Sequence, residues 1–212
     1  MERCAYDISL GLGDHVQWPG DCAYSTRPRM SLGCNDQSNV SDIQLSAHAG
    51  THVEAPAHMI AGGMTIDQFG IERFIIPAYV VDVGDAEVID VTRIQHAQVA
   101  SGEAILFKTR NSTTGLIRDR EFKPGFVHLA EASARWCVQK GLSLVGVDYL
   151  SVDSGECEEC PVHHILLRAG TLILEAVDLS AVPEGRYMLW AVPLKLRGCE
   201  ASPVRAVLVD QF

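Results

Sequence analysis

Residues 48–58 read HAGTHVEAPAH, with three histidines and one carboxylate in a segment broken by Gly50 and Pro56. Glycine favours a sharp turn, and proline cannot sit inside a continuing helix. His48 and His52 have the spacing of a helical zinc motif, but the two breakers predict a rigid loop that points several side chains at one centre. The preceding run, Asp42–His48, alternates, with Ile43, Leu45 and Ala47 set against Asp42, Gln44, Ser46 and His48. That period predicts a strand with His48 at its end, on the polar face. Imidazole nitrogen and carboxylate oxygen are donors that Zn²⁺ or Mn²⁺ accepts. Five of the eight histidines fall into two short clusters, His48/His52/His58 and His163/His164. Clustering points to a metal site; a histidine-rich surface loop is the alternative that these residues alone leave open.

The rest of the chain reads as an α/β or α+β protein. Strand-like runs cover Cys4–Leu10, Ala78–Gly84, Ala104–Thr109, Leu142–Asp148, Thr171–Val177, Arg186–Val192 and Val204–Val209. A helix is predicted over His128–Lys140, with Leu129, Ala132, Trp136 and Cys137 on one face and Gly141 as its stop. A weaker helix covers Val91–Val99, and a third starts at Pro161 and runs to a glycine stop. Many strands and few helices indicate one domain over residues 1–212 with a mixed sheet, a length that suits a single core. Trp136 and Trp190 are read as core, and Lys195 and Arg197 as surface. Arg205 is a candidate brace near the site. His15, His96 and His128 are read as non-site residues.

A formal net charge of −10, without a local lysine or arginine cluster, argues against a nucleic-acid partner. No apolar run is long enough to cross a bilayer, and the N-terminus lacks the basic-then-apolar layout of a signal peptide. Seven scattered cysteines, an odd number, argue for a reducing, cytoplasmic setting rather than a disulfide framework. Cys157 and Cys160 form a single C-x-x-C with no second pair, read as incidental cysteines in a loop close to the site.

HAGTHVEAPAH resembles the signature of the cyclase family, which contains bacterial kynurenine formamidases. QWPGD at residues 17–21, AGGMTIDQF, VGVDYLSVD, PVHHILLRAGTLILE and ASPVRAVL extend the resemblance over most of the chain, in the family's order. The resemblance implies the swivelling β/β/α fold of that family and a homodimer with Trp18 near the subunit contact. It implies His48 and His52 as ligands of one metal ion, with Glu54 bridging to a second that His163 and Glu175 complete. His58 would be the catalytic general acid/base, and Trp18 would line the substrate pocket. One or two Zn²⁺ ions, or Mn²⁺, would activate water to hydrolyse a small amide. N-formyl-L-kynurenine is the implied substrate, with an isatin-type lactam or another aryl amide as the alternative, and a metal-binding scaffold without catalysis as a third reading. One departure stands out: the family carries Asp where this chain has Glu54, which leaves a one-ion site open.

Overall fold

The computed structural model describes residues 4–14 and 16–210, so His15 lies outside the described residues. In chain order the strands are β1 (Ala5–Asp7), β2 (Ser25–Met30), β3 (Val40–Gln44), β4 (His52–Glu54), β5 (Ile75–Asp82), β6 (Val88–Ile89) and β7 (Ala104–Lys108), followed by β8 (His128–Leu129), β9 (Leu144–Val147), β10 (Leu172–Glu175), β11 (Gly185–Trp190), β12 (Ala201–Pro203) and β13 (Val207–Asp210). The α-helices are α1 (Val91–Ile94), α2 (Arg110–Thr113), α3 (Glu131–Gln139) and α4 (Pro161–Arg168).

Strands β7, β9 and β10 are apolar at nearly every position, which requires cover on both faces. They form the parallel centre of a nine-stranded mixed sheet of order β1-β13-β11-β5-β7-β9-β10-β4-β12. The β5–β7, β7–β9 and β9–β10 pairs are parallel, and the remaining pairs antiparallel. Period-2 alternation divides the core. Leu106, Leu144, Leu172 and Leu174 face a cluster shared with Ile8, Val53 and Leu189. Ile105, Phe107, Val145, Val147 and Ile173 face the other side, where α3 and α4 supply Ala134, Cys137, Val162 and Leu166. The sheet curls around the first cluster, and isolated bridges join Ser9 to Val177 and Pro193 to Val204.

Several expectations shift. The strand expected to end at His48 stops at Gln44 and pairs only with β2. Every residue of this ribbon is exposed, Ile43 by 61%, so its alternation reflects two solvated faces rather than a core face. The helix expected from His128 starts at Glu131, because His128–Leu129 pairs with β6. Its buried residues are Ser133, Ala134 and Cys137; Ala132 is exposed and Trp136 only half-buried, with the Lys140 ammonium 5.4 Å from its ring. The Val91–Val99 helix is one turn long, as the β-branched Val91, Thr92 and Ile94 favour propagation poorly. Trp190 is exposed rather than core, because Tyr187 and Leu189 take the inward positions of β11. Arg205 braces β1 through both oxygens of Asp7.

Asp148 ties the centre of the sheet to α2. The fully buried carboxylate follows β9 and accepts from Thr109 N at 2.7 Å, Thr109 Oγ1 at 2.8 Å, Ser112 N at 3.1 Å and Asn111 Nδ2 at 3.3 Å. Removing the acceptor strands several buried donors. Asp148→Ala is therefore expected to lower stability by about 2–4 kcal/mol, read as a lower denaturant midpoint with an unchanged slope.

Candidate metal centre

The segment read as a loop contains a buried strand. β4 lies between β10 and β12, with Glu175 opposite His52 and Ile173 opposite Glu54. Alternation sends Val53 into the cluster inside the curl and His52 and Glu54 to the opposite face, beside α4. Gly50, at φ 62°, supplies the turn that precedes this strand. After it, Pro56–His58 forms a 3₁₀ turn packed tightly on residues 60–64. A Cβ at Gly63 would stand 2.7 Å from the Pro56 carbonyl carbon, so only glycine lets the turn close. His163 comes from the first turn of α4. Cys160 gives that helix no side-chain cap, and Asp153 instead accepts from Val162 N at 2.9 Å and His163 N at 3.0 Å.

Glu54 sits at the centre, with 1% of its surface exposed. Its Oε1 is 2.9 Å from His48 Nδ1 and 3.5 Å from both His52 Nε2 and His58 Nε2. Its Oε2 is 3.3 Å from His163 Nε2 but takes no hydrogen bond, although it is buried. Glu175 lies alongside, with Oε2 3.5 Å from His52 Nε2 and Oε1 3.4 Å from His163 Nε2. Ligand atoms of His48, Glu54 and His58 lie within 4.8 Å of one another, as do those of His52, Glu54 and Glu175. A buried carboxylate oxygen without a donor, among imidazole and carboxylate donors, fits a divalent cation.

The far side of each ring explains how this convergence is kept. His52 Nδ1 donates to the Gly50 carbonyl at 2.8 Å, leaving Nε2 to face the carboxylates. His163 Nδ1 donates to Asp153 Oδ2 at 2.6 Å, and His48 Nε2 donates to Glu200 Oε1 at 3.2 Å. These partners fix which nitrogen points inward, as acceptors behind metal-binding histidines generally do. Among the described residues, no comparable acceptor holds the second nitrogen of His58. Sequence reasoning missed Asp153 and Glu200, single acids with no periodic signal.

Electrostatics follow from the crowding. Burial opposes a charge on Glu54, but the His163 charge and the hydrogen bonds of the rings hold its carboxyl well below the ordinary range. Burial also opposes a charge on His163, and Glu54, Asp153 and Glu175 nevertheless carry it well above the usual histidine value. Burial opposes a charge on His48 too, but the Glu54 hydrogen bond together with the charges of Glu54, Glu175 and Glu200 raises it to about 9. Burial, and then the Glu54 charge, push Glu175 up. His58 is lowered, chiefly by burial. A cation taking the inward nitrogens would displace the protons that Glu54 attracts.

The structure thus brings together His48, His52, Glu54, His58, His163 and Glu175. His163 faces the carboxylates, whereas the adjacent His164 does not reach them. Trp18 lies on the pocket wall, edge-on to Phe122 at 5.1 Å, with Asp21, Met59, Leu150, Cys157 and Cys160 on the same wall. His96 is placed at the surface beside Glu184, and His128 beside the Phe126 carbonyl.

Residues 6–154 match the family model described as "Putative cyclase". The chain is 38% identical over 195 residues to the kynurenine formamidase of Salinibacter ruber (strain DSM 13855 / M31), covering 91% of each chain. A solved structure described as a predicted metal-dependent hydrolase from Bacillus stearothermophilus superposes with a TM-score of 0.85 at 30% identity, covering both chains fully. Isatin hydrolase A from Labrenzia aggregata, at 21% identity, superposes with a TM-score of 0.82 over 98% of this chain and 93% of that one, a likeness of fold.

The acceptors behind the rings generate a test. Asp153→Asn should lower Zn²⁺ affinity about 10- to 100-fold, measured by competition with a chelating dye. Glu200→Gln, at a half-exposed position, should cost less.

Proposed function

As the chain belongs to the cyclase family, we propose that it hydrolyses N-formyl-L-kynurenine to L-kynurenine and formate in a metal-dependent reaction. The observation that carries this reading is the buried Glu54 carboxylate, ringed by four imidazoles and facing Glu175 across one pocket. The likeness to a kynurenine formamidase over nearly the whole chain supports the substrate.

His48, His52 and Glu54 would hold one ion, and Glu54, His163 and Glu175 a second, with Zn²⁺ favoured by the histidine-rich donor set and Mn²⁺ as the substitute. Such an ion supplies Lewis acidity for the carbonyl oxygen and makes water acidic enough to lose a proton near neutral pH. The two oxygens of Glu54 face different rings, which supports a bridging role for the longer side chain. His58 is the proton carrier. Burial favours its neutral form, and its ring is not fixed from behind, so it can accept a proton as water attacks the formyl carbon. It then delivers that proton to the leaving nitrogen as the carbon–nitrogen bond breaks, releasing formate and the arylamine. Trp18 and Leu150 offer an apolar wall to the aromatic ring and shield the site from bulk water.

We further read residues 1–212 as one domain that functions as a homodimer in the cytoplasm. The exposed β2–β3 ribbon, carrying Met30, Val40 and Ile43 outside any core, supports a second copy as its cover, because an isolated two-stranded ribbon is marginal in water. The seven cysteines are all unpaired, as suits a reducing compartment.

The test is kynurenine release by chelator-stripped protein before and after Zn²⁺ or Mn²⁺ is restored. Turnover should return with metal. His58→Ala should lower kcat by about 10²–10⁴ with bound metal unchanged by elemental analysis. Turnover of isatin but not of the formamide would move the substrate to a lactam. Tight metal binding with no turnover of either would leave a scaffold.

A further inference from the structure

The C-x-x-C that the sequence leaves without a role is placed on the wall of the candidate centre. Cys160 immediately precedes α4, and its backbone is left-handed, at φ 44° and ψ 53°. That conformation is costly for a residue with a Cβ, by roughly 1–3 kcal/mol, and such residues concentrate at functional sites. The Cys160 sulfur, a carboxylate oxygen of Asp153 and a ring nitrogen of His163 all lie within 4.8 Å of one another. Asp153 and His163 are buried, and Cys160 is half-buried. Asp153 accepts three hydrogen bonds, one on Oδ1 and two on Oδ2. A carboxylate has about four lone-pair positions, so Oδ1 retains capacity for a cation. Oxygen, nitrogen and sulfur thus meet at one corner, with the sulfur absent from the six residues assigned to the Glu54 centre.

We propose that the Asp153–Cys160–His163 corner binds a soft divalent cation, Zn²⁺ or Cd²⁺, through the Cys160 sulfur, at a position separate from the Glu54 centre. Thiolate selects Zn²⁺ and Cd²⁺ over Mn²⁺ and Mg²⁺, which prefer oxygen. On binding, the thiol proton and the proton that His163 Nδ1 shares with Asp153 pass to the buffer, and the sulfur and that nitrogen become ligands. His163 is shared, since its Nε2 lies 3.3 Å from Glu54 and 3.4 Å from Glu175. A soft cation at the corner therefore draws on the same ring that completes the Glu54 centre. Excess Zn²⁺ or Cd²⁺ should inhibit a Mn²⁺-loaded enzyme, and excess Mn²⁺ should not. Only this inhibition rests on the hydrolase reading; the binding itself does not.

The experiment adds Cd²⁺ to Mn²⁺-loaded, full-length protein in which the exposed Cys4, Cys22 and Cys34 are serine. Thiolate-to-cadmium charge-transfer absorption is the readout. The expected result is a band that saturates, persists in Cys157→Ser and is lost in Cys160→Ser. A band unchanged in Cys160→Ser, or one that vanishes with Cys157 alone, overturns the proposal. If Cys160→Ser fails to fold by circular dichroism, ¹¹³Cd NMR of the protein with Cys160 intact and Cys157 and Cys199 also serine decides: a sulfur-bound resonance supports the site, and its absence overturns it. A Cys160-dependent band in a protein that hydrolyses no amide would end the hydrolase reading and leave this site standing.

Discussion

The arrangement depends on one buried carboxylate. Taking an ionised carboxyl group out of water costs several kcal/mol even after relaxation, and no lysine or arginine lines the pocket around Glu54 among the described residues. Imidazoles do the compensating instead. His48, His52, His58 and His163 all approach within 3.5 Å. Imidazole differs from ammonium or guanidinium in being able to give up its positive charge near neutral pH. A carboxylate surrounded by such groups can exchange protons for a cation.

The geometry that holds this cluster is built into the sheet. β4 fixes His52 and Glu54 on one face through strict alternation, and its pairing with β10 fixes Glu175 opposite His52. Asp153 does two jobs, closing the first turn of α4 and setting the ring of His163. Loss of the Asp153 carboxylate would thus loosen both a helix end and a ring. Glu200 and the Gly50 carbonyl perform the corresponding task for His48 and His52 at lower burial cost, because neither is a buried charge.

Much of the centre was legible because its donors are close in sequence. His48, His52, Glu54 and His58 stand within eleven residues, and chemistry alone suggests an ion among them. His163 and Glu175 were reached only through family resemblance, since nothing local distinguishes His163 from His164. The strand β4 was hidden by its own brevity: three residues between Gly50 and Pro56 show no readable period. The opposite error occurred at Asp42–His48, where regular alternation predicts a strand running to His48, whereas the strand stops at Gln44. A ribbon paired only with itself can alternate freely, because neither face is constrained by packing. Trp190 failed for a related reason, as residue type outweighed the inward positions already filled by Tyr187 and Leu189. The central strands were read well, since β7, β9 and β10 are apolar on both faces and admit few alternatives.

The insertion of β4 between β10 and β12 also bears on how the molecule is assembled. Glu54 and Glu175 are separated by more than half of the chain, and they become neighbours only when a short strand slots between two partners formed late in the sequence. Contacts of such long range close large loops and are slow to form. The donors therefore come together only once that slot is filled, and an ion bound among them acts as a latch on chain topology. Because it would bind the closed arrangement and not the open one, its free energy adds directly to the persistence of the fold.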